Sequence, residues 1–144
     1  MQKGVLKMKK VNCLSFAMKL ENIPDLDVSP NLDFHLSPEE AISKLAERFG
    51  MGSRKLASEN SPLEKGEWLI AFWGFIYFYD SDNYGLFSCV PDYHFACKGD
   101  DGIWRERMSW SAPIEEIDFS KLVEDFKKAG YPVQFFALRK TVAN

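Results

Sequence analysis

A chain of 144 residues that is 46% hydrophobic and 15% aromatic has apolar material for one packed core, which excludes a disordered chain and a disulfide-stapled miniprotein. Its formal net charge of -3, with acidic and basic residues interspersed, argues against nucleic acid as the main partner, because phosphate binding needs a concentrated basic face. No apolar run reaches the roughly 18 residues that a membrane span needs.

Residues 1–10 contain Lys3, Lys7, Lys9 and Lys10 and read as a basic arm, leaving 11–144 as a single domain. The apolar stretch that follows ends at Lys19 with no small-residue cleavage site, so a signal peptide is not expected. Cys13, Cys89 and Cys97 are odd in number, and a chain of this size does not need disulfides. They read as reduced thiols in a cytoplasmic compartment, with export as an effector the alternative.

Asn12 is a good N-cap, and Cys13 to Leu20 reads as a short helix. Asn22 to Leu36, with Pro24 and Pro30, reads as a loop. Ser37-Pro38-Glu39-Glu40 is a strong helix start. Ser caps, Pro takes the first helical position, and Glu40 completes a capping box. Ala41, Ile42, Leu45, Ala46 and Phe49 follow at helical spacing, and Gly50 ends the run. Residues 51–66 are polar and read as a surface loop.

Trp68 to Tyr79 is dense in aromatic and β-branched residues and reads as a central strand. After the turn signal Asp80-Ser81-Asp82-Asn83 come three further strands: Leu86 to Val90, Asp92 to Lys98 and Ile103 to Met108. Gly99-Asp100-Asp101-Gly102 joins the last two as a hairpin. Phe119 to Lys128 reads as a helix ending at Gly130, and Pro132 to Arg139 as a last strand. The order α-α-β-β-β-β-α-β describes an α+β domain: an antiparallel sheet flanked by helices.

His35 and His94 are the only histidines, so acid–base choices near neutral pH are few. Strand alternation puts His94 on one face with Asp92, Ala96 and Lys98, while Tyr93, Phe95 and Cys97 point the other way. Cys13 opens a helix, where the partial positive charge favours a thiolate and free backbone N–H groups suit an oxyanion. The plainer alternative is that Cys13 is a small buried hydrophobe and His94 a satisfied polar residue. The aromatic run Trp68 to Tyr79 reads as core. Asp100 and Asp101 read as turn residues, because nothing completes a metal-ligand set around them. No phosphate loop, zinc pattern or nucleotide fingerprint is present, so neither a metal nor a cofactor is expected.

Asn12-Cys13-Leu14-Ser15-Phe16-Ala17-Met18 resembles the N-C-x-S-[YF]-A-[LM] start of small bacterial papain-like cysteine hydrolases. Asp92-Tyr93-His94-Phe95 followed by Gly99-Asp100-Asp101-Gly102-Ile103-Trp104 is similar to the D-Y-H-[FW] … D-x-x-G-x-W signature found downstream in them. That group is related in architecture to the NlpC/P60 peptidases. The resemblance covers two short blocks, about a fifth of the chain. It implies a papain-like fold in which Cys13 is the nucleophile, His94 its base, and a polar group on the next strand the orienter of His94.

In the family a His commonly stands two positions after the Trp; here Glu106 occupies that place. A carboxylate can orient an imidazole and stabilise the imidazolium. A hairpin loop of Gly99 to Asp101 would set His94 directly across from Glu106. A loop of Asp100 to Gly102 would make them diagonal neighbours, and a two-residue loop would put Arg107 opposite His94.

The leading expectation is therefore a peptidase or amidase, or an acyl transferase using the same groups, acting on a peptide or protein. Cys13, His94 and Glu106 are its catalytic candidates. Asn12, Asp92 and Trp104 are candidates for oxyanion or substrate contacts, and Asp92 is also a second choice for orienting His94. The alternative expectation is a catalytically inactive scaffold that binds a protein, as an immunity or inhibitor protein does. Oligomeric state is left open.

Overall fold

The computed structural model describes residues 13–20, 32–80, 87–107 and 113–141, with the backbone alone for 76–80 and 87–91. The basic arm and the Asn12 cap lie outside these residues. The elements are α1 (Cys13–Ala17), α2 (Pro38–Arg48), β1 (Met51–Leu56), β2 (Trp68–Asp80), β3 (Phe87–Lys98), β4 (Trp104–Glu106), β5 (Glu115–Glu116), α3 (Phe119–Lys128) and β6 (Gln134–Lys140). The strands form one open antiparallel sheet in the order β1-β6-β2-β3-β4-β5.

The start of α2 follows its local chemistry. Ser37 Oγ accepts from the Glu40 N–H at 3.3 Å and donates to Glu40 Oε1 at 2.9 Å, so the two residues of the capping box hold each other. Asp118 caps α3 by accepting from the Lys121 N–H at 3.2 Å. Beyond the end of that helix, Gly130 takes a φ of 95°, the left-handed conformation that glycine adopts without strain.

The structure departs from the expectations above in four places. Met51–Leu56 is a strand, not loop: it pairs along its length with β6, burying Met51 and Leu56 at its two ends. Its polar middle hid it, since an edge strand needs little apolar pattern. The two strands expected on either side of Pro91 are one, β3. Pro91 pairs with Ile76 where β3 has β2 as its one described neighbour, and an edge tolerates the missing N–H. The strand after the hairpin is only Trp104–Glu106 and leads to a two-residue strand, β5, that the sequence did not announce. Helix α1 covers five residues, and Lys19 then turns the chain with a φ of 57°.

The sheet divides the interior into two layers. On one side, α1 and α2 bury Leu14, Ala17, Met18, Ile42 and Leu45 against Ile70, Phe72, Phe95, Cys97, Phe136 and Leu138. On the other, α3 lays Phe119, Leu122, Val123 and Phe126 over Leu69, Ala71, Trp73, Ala96, Trp104 and Ala137. The period-2 alternation of β2, β3 and β6 assigns each residue to its layer. The Trp68 indole fixes the C-terminus of α1 by donating Nε1–H to the Ala17 carbonyl at 2.8 Å, with Lys19 Nζ 4.6 Å from the centre of its ring. Among the described residues, no helix is long and apolar enough to cross a membrane.

Candidate functional site

The β3–β4 hairpin sets the geometry around His94. Gly99 N–H donates to the Ile103 carbonyl at 2.9 Å, Gly102 N–H to the Gly99 carbonyl at 2.9 Å, and Gly102 adopts a φ of 82°. The loop is therefore Asp100 to Gly102, and the register Cys97↔Arg105 and Lys98↔Trp104 makes His94 and Glu106 diagonal neighbours. His94 Nε2 lies 2.7 Å from Glu106 Oε1, with the two side chains only 9% and 14% exposed. This is the short distance of a charge-assisted hydrogen bond.

Aromatic rings complete the surroundings of the imidazole. Trp73, its partner across β2 and β3, stacks on it with ring centres 5.9 Å apart, and Phe126 of α3 lies at 6.3 Å. Trp73 and Phe126 also stack on each other at 5.0 Å. From the sequence Trp73 read only as core, and Phe126 only as part of a helix face. That they would flank His94 depends on the β2–β3 register, which no local motif announces.

Cys13 does not join this group. It opens α1 as expected, but α1 packs on the opposite layer, where Cys13 shares the cluster of Phe72, Phe95 and Cys97. Cys13 meets the backbone of Phe95, the residue after His94, and lies in the field of Asp92, while the imidazole lies against Trp73 and Phe126.

The thiol's electrostatics differ from the expectation as well. Burial pushes the Cys13 thiol up to about 11, the nearby Asp92 carboxylate adds in the same direction, and the backbone at Phe95, Leu14 and Cys13 itself opposes this without offsetting it. A helix of five residues aligns few peptide dipoles, so it does little to favour a thiolate. Cys97 is likewise pushed up to about 11 by burial, so the two described thiols share one electrostatic character. The side chain of Cys89 lies outside the described residues.

Asp92 shares the face of His94, but its Oδ1 accepts from the Tyr93 N–H at 2.7 Å and it makes no hydrogen bond to His94. Glu106 is thus the carboxylate that holds the imidazole. Trp104 is buried, its ring stacked on Phe119 at 3.9 Å and its Nε1–H donating to Glu59 Oε2 at 3.0 Å. Those contacts make it a packing residue between sheet and helix. Asn12 lies outside the described residues. Among the described residues, no three His, Cys, Asp or Glu side chains group as a metal site.

No family model, no curated protein and no solved structure matches this chain.

Proposed function

We propose that this chain is a non-catalytic module that works by binding a protein partner through its α+β scaffold, in the manner of an immunity or inhibitor protein. The observation that supports the reading is that Cys13 sits in the apolar cluster of α1 and α2, whereas Trp73 and Phe126, the rings against His94, belong to the cluster under α3. A thiol that attacks a carbonyl needs a base within hydrogen-bond reach and a depressed pKa. Here Glu106 and two rings hold the imidazole through Nε2 and its faces, and burial pushes the Cys13 thiol up to about 11.

A second reading, the papain-like cysteine hydrolase, keeps one observation in its favour. The Nε2–Oε1 contact of 2.7 Å between His94 and Glu106 is the arrangement of a base and its orienter. For that reading to hold, the Cys13 thiol would have to reach the second imidazole nitrogen, Nδ1.

Alkylation of the intact protein with iodoacetamide, mapped by peptide mass, separates the two. The binding reading expects Cys13 to react no faster than Cys97 near neutral pH, with no change in rate on His94→Gln. The hydrolase reading requires Cys13 to react at least about tenfold faster than Cys97, with that advantage lost in His94→Gln, because a low-pKa thiolate depends on its imidazolium.

A further inference from the structure

We propose that the groove between the 57–67 loop and the β3–β4 turn receives a basic side chain, Lys or Arg, from a protein partner; this rests on the binding reading above. The groove holds about 320 Å³, with Trp68, Leu69 and Leu63 as its apolar lining. Leu63 is 43% exposed, an apolar surface left for a partner to cover. Lys and Arg carry an apolar stem and a charged tip, so they match a groove with apolar lining and carboxylates beside it.

The charges decide the sign of the occupant. Glu67 is held bidentately by Arg54 at 2.9 and 2.7 Å, and Asp101 by Arg105 at 3.2 and 2.8 Å, so those carboxylates are committed. Glu59 Oε2 is fixed by the Trp104 indole at 3.0 Å, but its ion pair with Lys98 is long, 3.6 Å, with the side chains 35% and 31% exposed. Such a pair is weak and exchangeable. Asp100 is exposed and makes no ion pair among the described residues. The uncommitted charge is therefore negative, on a chain whose net charge is already -3. An incoming cation replaces Lys98 at Glu59 and gains Asp100, whereas an incoming carboxylate meets Lys98 and is repelled by both acids.

The test is titration of the full-length protein with two capped peptides, acetyl-Gly-Leu-Arg-Leu-Gly-amide and its Glu counterpart, followed by backbone amide shifts. The Arg peptide is expected to move amides of 59–69 and 98–102 and to bind more tightly than the Glu peptide. Lys98→Gln removes the competing ammonium and should tighten the Arg peptide about 1.5- to 5-fold, while Asp100→Asn should weaken it by a similar factor. Weaker binding in Lys98→Gln, preference for the Glu peptide, or no shift in either segment would overturn the proposal. Shifts confined to another surface would remove the groove and leave the binding reading standing. A Cys13 that ionises as an activated thiolate would remove the binding reading itself.

Discussion

Trp73→Ala is expected to destabilise the fold by about 3–5 kcal/mol, the range for deleting a large aromatic side chain from a core. Trp73 is fully buried on the central strand, stacked on Phe126 at 5.0 Å and tilted against Phe119 at 5.9 Å. Its removal opens a cavity under α3 and takes one wall from His94. Domains are stable by only about 5–15 kcal/mol, so this loss is a large share of the total. Trp73→Phe should cost far less, under about 1.5 kcal/mol, because the ring contacts are largely kept. The buried Nε1–H of Trp73 makes no hydrogen bond among the described residues, so the Phe variant loses no such bond there. Urea unfolding of the three proteins measures both effects. Equal costs for the Ala and Phe variants would show that the indole is not packed as described.

Glu106→Ala should cost about 1–3 kcal/mol, because it leaves a buried imidazole nitrogen without its partner. Glu106→Gln should cost less, since an amide oxygen still accepts from Nε2–H. The pair also links β4 to β3 beyond their two ladder positions, Cys97↔Arg105 and Lys98↔Trp104. Replacing both members, His94→Phe with Glu106→Leu, should recover most of the loss, because apolar residues of similar size remove the need for either partner. A double-mutant cycle on urea midpoints gives the coupling directly. If Glu106→Ala changed stability by less than about 0.5 kcal/mol, as at an ordinary surface position, the contact would be no more than incidental.

Much of the architecture was legible because its signals are local. Ser37, Pro38 and Glu40 announced the start of α2, and Gly130 the end of α3. The aromatic density of Trp68 to Tyr79 marked β2. The hairpin was legible up to its loop length: Gly99 to Gly102 allowed three registers, and the one with Gly102 in the left-handed conformation is the one adopted. Strand β1 was missed because Gly52, Ser53, Arg54 and Lys55 carry no strand pattern, and its partner β6 lies at the far end of the sequence. Pro91 read as a strand boundary because the sequence does not show how many neighbours a strand has.

The candidate site divides in the same way. The alternation that separates His94 from Phe95 is a local property of β3 and was legible. Which layer α1 would choose was not. That choice depends on the complementary apolar surface offered by Ile70, Phe72, Phe95 and Phe136, contributed by three strands distant in sequence. Two motif blocks in the right order place Cys13 and His94 on neighbouring elements. They carry no information about which side of the sheet the first element covers.

The ionisation of Cys13 tests most directly whether it is a buried structural thiol. In the protein labelled with ¹³C at the cysteine β-carbons, the Cys13 shift should stay at its thiol value up to the ordinary pKa of 9.0 and move only toward about 11. Burial disfavours the charged form, so the folded-state pKa lies above the unfolded one, and the neutral thiol persists until alkaline pH. His94→Gln should leave that titration in place. A Cys13 midpoint below about 7, lost in His94→Gln, is the signature of an imidazole-activated thiolate and would contradict the account.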